Sequence, residues 1–219
     1  MPVAMGRSRK RALLALAASL VLTACGSEQA GPPEPVASVP GGLTTYEVDS
    51  AGFAITLPTS WIATSGGESF DQEEYDRLAR DNPHLGLDGV DVEEFAFVAF
   101  APHLRRGVGA NVNVMAAAVP PGARIEDEVD RALAEIESLP YVRGPVEHEI
   151  VSLPAGKAVR LSYTATMVVS GAERRLAHVQ YGVLAGDSAY LLTFTTHPAE
   201  LARSEKLFAR VAESLQPTG

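Results

Sequence analysis

Apolar residues recur along this chain with two different periods, and the switches between them mark out its elements. Val159, Leu161, Tyr163, Ala165 and Met167 alternate with Arg160, Ser162, Thr164 and Thr166, the period of a half-buried strand. The same reasoning predicts strands over Val146–Leu153, Lys157–Val169, Glu173–Leu184 and Ala189–Thr196. Pro154-Ala155-Gly156, Ser170-Gly171 and Gly186-Asp187 are short turn signals between them, so the four strands pair as an antiparallel meander. Against this, Ile125, Val129, Ala132, Leu133, Ile136 and Leu139 fall on one stripe at helical spacing, predicting a helix over Arg124–Leu139. Glu126, Glu128, Asp130 and Glu135 lie outside the stripe, and the early acids suit the positive end of the helix dipole.

Earlier in the chain, Thr44–Asp49 and Phe53–Leu57 read as a hairpin around Ser50-Ala51-Gly52, closed by Pro58. Ser69, with Gln72 three residues on, opens a helix through Arg80 that Asn82-Pro83 ends. Phe95–Phe100 is apolar at every position, as in a strand covered from two sides. Pro102–Gly107 reads as a loop and Asn111–Ala118 as the next strand. A last helix enters at Thr196-His197-Pro198 and turns Leu201, Leu207, Phe208, Val211 and Leu215 inward. Strands joined mostly by hairpins, with helices before, between and after them, make an α+β fold. The expectation is a mostly antiparallel sheet with helices on both faces, an α/β/α sandwich, in a single globular domain over residues 44–217.

The first 43 residues follow neither period. Arg7-Ser8-Arg9-Lys10-Arg11 precedes an uncharged run from Ala12 to Leu22 of about 11 residues, against the roughly 20 that a spanning helix needs. Basic, apolar and then small residues is the order of a secretory signal peptide, here residues 1–24. Leu22-Thr23-Ala24-Cys25 follows and contains the only cysteine of the chain. That stretch resembles the lipobox of bacterial lipoprotein precursors, with Leu22, Thr23 and Ala24 as the recognition residues and Cys25 as the lipidated one. The resemblance implies a diacylglyceryl group on Cys25 and cleavage just before it. Two acyl chains suffice for stable anchoring at about 0.8 kcal/mol per buried CH₂. Residues 25–43, rich in proline and glycine, then form a tether. It reaches about 55 Å if polyproline-like and about 25 Å as a coil. The expected location is the extracytoplasmic face of the cell membrane.

Charge narrows the partners. The chain has 18 Lys+Arg against 27 Asp+Glu. Arg7, Arg9, Lys10 and Arg11 lie ahead of Cys25 and no acid does, so 14 basic and 27 acidic residues follow, a net charge of −13. Such a balance argues against binding nucleic acid, or anionic lipid through bulk charge. Catalytic patterns are missing. Gly186-Asp187-Ser188-Ala189-Tyr190 lacks the closing glycine of a nucleophile elbow, and there is no His-Glu-x-x-His. His148 and His178 fall on strands but read as sheet histidines rather than ligands, and Asp81, Asp88 and Asp91 do not have calcium-loop spacing. Glu93-Glu94 and Glu147/Glu149 read as exposed strand ends. No catalytic residue, cofactor or metal site is expected.

Phe53-Ala54-Ile55-Thr56-Leu57-Pro58 followed by Trp61 resembles the opening of the Mog1/PsbP-like sandwich family. Asn111-Val112-Asn113-Val114 is similar to a strand of actinobacterial lipoproteins of the LpqN/LpqT type, and Leu153-Pro154-Ala155-Gly156 and Glu213-Ser214-Leu215 also resemble this family. The acidic helical stretch between Trp61 and Phe95 departs from its shortest members. The resemblance implies a non-enzymatic accessory or binding role with no catalytic residues to carry over. The leading expectation is a monomeric binding or scaffold module whose partner is an envelope protein or cell-wall component. A second reading is a carrier of an apolar or lipid ligand in a pocket lined by Phe95, Phe97, Phe100, Met115 and Met167. A third is an envelope hydrolase without a recognised signature.

Overall fold

A computed structural model describes residues 42–63, 72–82, 95–120, 122–169 and 172–218. Strands β1 (Leu43–Val48) and β2 (Phe53–Pro58) form the expected hairpin, with Gly52 at φ 67° supplying the left-handed turn conformation. They do not join the main sheet. Two residues near the carboxyl terminus, β10 (Gln216–Pro217), pair with the other side of β2, giving a separate three-stranded sheet in the order β1-β2-β10.

The main sheet has seven strands in the order β3-β4-β5-β9-β8-β7-β6, antiparallel throughout. They are β3 (Ile62–Ala63), β4 (Phe97–Arg105), β5 (Val108–Ala118), β6 (Val142–Leu153), β7 (Gly156–Val169), β8 (Ala172–Ala185) and β9 (Ser188–Thr196). The meander β6 to β9 is as read from the sequence. Helix α1 (Gln72–Asp81) matches the expected helix and runs one residue past Arg80, while the proposed cap Ser69 lies outside the described residues. Helix α2 (Ile125–Ser138) connects β5 to β6 at the far edge, which carries it across the meander. Helix α3 (Leu201–Glu213) follows a single 3-10 turn at Pro198–Glu200, capped by His197, whose Nδ1 accepts from the Ala199 N–H at 3.1 Å.

Two boundaries moved for physical reasons. The expected loop over residues 102–107 is mostly strand. β4 runs on to Arg105 through a register irregularity between Phe100 and Leu104, the kind of break at which Pro102 costs no ladder hydrogen bond. β6 likewise begins at Val142, and its irregularity between Arg143 and Glu147 takes up Gly144-Pro145.

The core divides into three clusters that take alternate strand residues, as the period of two requires. Phe97, Ala99, Val112, Val114, Val179, Tyr181, Leu192 and Phe194 pack with Phe208, Val211, Ala212 and Leu215 of the α3 end and with Phe53, Ile55 and Leu57 of the small sheet. Val159, Leu161, Tyr163 and Leu191 pack instead against Ile125, Val129, Ala132 and Ile136 of α2. Phe95, Val98 and Phe100 pack on Tyr75, Leu78 and Ala79 of α1. Glu128, expected on the solvent side of α2, is buried and paired with Arg131.

Candidate functional site

Between the α1 and α2 clusters the sheet carries polar side chains instead of apolar ones. β5, β9 and β8 each contribute two, at positions i and i+2: Asn111 and Asn113, Thr193 and Thr195, His178 and Gln180. Register places them in two rungs, Asn111–Thr195–His178 and Asn113–Thr193–Gln180. All six are at most 2 % exposed, in the middle of the sheet. Buried polar groups need hydrogen-bond partners, and several are found within the block. Gln180 Nε2 donates to Thr193 Oγ1 at 3.2 Å, Thr195 Oγ1 lies 3.1 Å from His178 Nδ1, and Asn111 Nδ2 donates to the Gly109 carbonyl at 3.3 Å. His178 also stacks on Tyr163, with ring centroids 5.0 Å apart and planes 26° apart.

Burial pushes the His178 imidazole down to about 4, so the ring is neutral throughout the physiological range. The Thr195–His178 contact has the reach of a nucleophile–base pair. At that pKa, however, the ring is a weak base, and both residues are only 1 % exposed. The block can give and take hydrogen bonds without carrying charge. The sequence signal for it was the repeated i, i+2 polar pair on strands otherwise apolar, which a search for catalytic motifs passes over.

The residues singled out from the sequence are dispersed. Cys25 and Leu22, Thr23 and Ala24 lie outside the described residues, as do Asp88, Asp91, Glu93 and Glu94. Of the five residues read as a pocket, Phe97 joins the α3 cluster while Phe95 and Phe100 join the α1 cluster. Met115 is half-buried where the α1 and α2 clusters meet, and Met167 is half-buried on β7 in none of the three clusters. Phe95, Phe100 and Met115 therefore share the α1 cluster, whereas Phe97, on the opposite face of β4 from Phe100, and Met167 lie apart from it.

His148 is exposed on β6 and His178 is buried on β8, with β7 between them at a spacing of about 4.8 Å per strand, so they are not a pair. Glu147 and Glu149 are exposed, and Glu149 meets Arg160 at 3.3 Å. Arg160 also binds Glu205 of α3, tying that helix to the β6–β7 edge. Asp81 is exposed at the end of α1. Among the described residues no group of three His, Cys, Asp or Glu side chains could hold a metal ion, and no helix is long and apolar enough to cross a membrane.

No family model and no curated protein matches this sequence. Solved structures do match in shape. The cyanobacterial PsbP protein of Synechocystis aligns with TM-score 0.49 at 14 % identity over 85 % of this chain and 98 % of its own. LpqN of Mycobacterium tuberculosis, described as involved in cell envelope biogenesis, aligns with TM-score 0.47 at 11 % identity over 82 % and 86 %. The Ran-binding protein Mog1p of Saccharomyces cerevisiae aligns with TM-score 0.50 at 7 % identity over 81 % and 96 %. At such identities the likeness concerns the fold alone, and on that footing the domain has a mostly antiparallel α+β fold like that of Mog1p.

Proposed function

We propose that this chain is an extracytoplasmic lipoprotein, held to the cell membrane through diacylglyceryl-Cys25, whose domain is a non-enzymatic binding or scaffold module for an envelope protein or cell-wall component. The observation that carries this reading is the order of the first 43 residues: basic segment, short apolar run, Leu22-Thr23-Ala24-Cys25, and a proline- and glycine-rich stretch leading to β1. A lone cysteine between an apolar run and Gly26-Ser27 has no partner for a disulfide and no core of its own to enter. The packing is consistent with a binding role. We read the layering as helices on both faces of the main sheet, since α2 and α3 pack on alternate residues of the same strands. The Thr–His contact and the best-placed carboxylates have structural partners: Glu149 and Glu205 hold Arg160, and Glu126 holds Lys157 at 3.1 Å. A fold of this kind binding another protein has a precedent in Mog1p, a Ran-binding protein. The apolar-carrier reading would rest on Phe95, Phe100 and Met115, which share the α1 cluster, without Phe97, which packs in the α3 cluster.

Replacing Cys25 with alanine tests the anchor. The chain should leave the membrane fraction, and a variant that stays bound as firmly as the native chain would refute it. Crosslinking in intact cells tests the module, which requires one envelope component to recur among the products of the native chain.

A further inference from the structure

We propose that the rim formed by Arg105, Arg106, Arg174 and Arg175 rests on the anionic phosphates of membrane lipid headgroups, fixing which end of the domain faces the bilayer. This rests on the anchor reading above and adds an orientation to it. The four arginines come from two hairpins that project past the end of β9. β9 stops at Thr196, opposite Ala177, whereas β8 begins at Ala172, and the β4–β5 hairpin continues beyond the Asn111–Thr195 rung to the Arg105–Val108 pair. The hairpins touch: a Cβ added at Gly107 would lie 3.7 Å from the Arg174 guanidinium. Arg106 Nε reaches Glu200 Oε1 at 3.5 Å. His197 sits among them, held below its ordinary value first by burial and then by Arg106 and Arg175, with Glu200 opposing, so it adds no charge near neutrality.

Three exposed arginines and the half-exposed Arg174 therefore gather four positive charges against two carboxylates, Glu173 and Glu200, in a chain whose net charge after Cys25 is −13. Arg105 and Arg175 are exposed and form no ion pair among the described residues. Arg174 Nε is buried with no hydrogen-bond partner. With a screening length of about 8–10 Å at physiological salt, a surface meets the local charge rather than the total. The acidic remainder would be repelled by the same lipids, which reinforces one orientation.

The chain leading to Cys25 leaves from this half of the molecule. Gly42 accepts from the Thr59 N–H at 3.2 Å, and Thr44 Oγ1 lies 2.9 Å from Thr59 Oγ1. β3 pairs Ile62 with Phe100 and Ala63 with Ala99, and the turn closed by Trp61 N–H on the Pro58 carbonyl at 2.8 Å enters β3 from the side of Phe100 that leads on to Arg105. Sixteen residues separate Cys25 from Gly42, and in the coil reading of the sequence their typical reach is about 20–25 Å. That is short enough to keep the rim near the headgroups.

The protein purified from expressing membranes and reconstituted into vesicles provides the test. Because Cys25 is the only cysteine and is blocked when acylated, a cysteine introduced at Ala199 in the rim, or at Asp187 at the other end of β9, takes a nitroxide label alone. Collision with a nickel-chelating lipid is then compared in phosphatidylcholine and with about 30 % phosphatidylglycerol added, which supplies the anionic surface. Anionic lipid should bring the label at 199, but not that at 187, to the surface. Arg105→Gln with Arg175→Gln should shift that contact equilibrium by about 25-fold, at about fivefold per arginine beside an anionic surface. Lys206→Gln with Arg210→Gln removes the same charge from exposed positions of α3 and should leave the contact intact.

The proposal is overturned if phosphatidylglycerol leaves the label at 199 no closer, or if both double variants lose contact equally. Failure of the anchor is read separately, as loss from phosphatidylcholine vesicles or labelling of the chain with no added cysteine. The rim is then judged by sedimentation of the same chain with phosphatidylglycerol vesicles, which the Arg105/Arg175 variant must weaken and the Lys206/Arg210 variant must not.

Discussion

Replacing His178 by asparagine should remove most of the acid sensitivity of this domain between pH 7 and pH 5. The ring is 1 % exposed, stacked on Tyr163 and in contact with Thr195, and burial lowers its pKa to about 4 from an ordinary value of 6.5. The folded state therefore refuses a proton that the unfolded chain accepts as pH falls below 6.5. Protons bind more to the unfolded state, so stability rises with pH, and it is lost progressively between about pH 6.5 and pH 4. A difference of two and a half pKa units corresponds to about 3 kcal/mol over the whole window, of which about 2 kcal/mol falls between pH 7 and pH 5. Glu126, lowered by hydrogen bonding to its backbone and to Lys157, changes stability only as pH falls below its usual range, outside this interval. His197 is also lowered but mainly solvated, and it contributes a residual slope in the same direction. Asparagine keeps a hydrogen-bonding group near Thr195 and does not titrate. Urea unfolding of both chains at pH 7 and pH 5 should show the native chain losing about 2 kcal/mol more than the variant over that interval. Equal slopes would mean that His178 is protonated in the fold, and that the neutral polar block has been misread.

Other expectations concern packing and backbone. Phe208 is fully buried and stacks on Phe194 with centroids 4.7 Å apart, so Phe208→Ala should cost about 3–5 kcal/mol in urea unfolding. A loss below 1 kcal/mol would show that α3 is not part of the core. Gly156 turns β6 into β7 at φ 139°, and a Cβ there would stand 2.9 Å from the Leu184 carbonyl. Gly156→Ala should therefore lower stability by about 1–3 kcal/mol, whereas alanine at Gly186, which has open space but φ 64°, should cost less. A melting temperature unchanged by Gly156→Ala would contradict the register of β7 on β8.

The meander and α2 were legible because each carries one period over many residues and is bounded by a Gly- or Pro-containing turn, as at Pro154-Ala155-Gly156. β10 was not, since two residues carry no period and its pairing with β2 is decided by where α3 delivers the chain. The extension of β4 was hidden by Pro102 and by Arg105, residues typical of a loop that a strand irregularity and an exposed hairpin tolerate. Phe95–Phe100 was correctly read as apolar on both sides. Such a run does not say which side chains share a cluster: Phe95 and Phe100 meet Met115 beside α1, while Phe97 packs with α3. The buried polar block was visible in Asn111-Val112-Asn113, His178-Val179-Gln180 and Thr193-Phe194-Thr195. Only the pairing of β5 with β9 brings the three segments together, and that pairing joins strands more than 70 residues apart in sequence.

Intact mass spectrometry of the protein extracted from its native membrane tests the central claim most directly. The account predicts a chain that begins at Cys25 and carries a diacylglyceryl group on that residue, a mass that disappears with Cys25→Ala. A mature chain starting at any other residue, or starting at Cys25 with an unmodified thiol, would contradict the anchor and the envelope role built upon it.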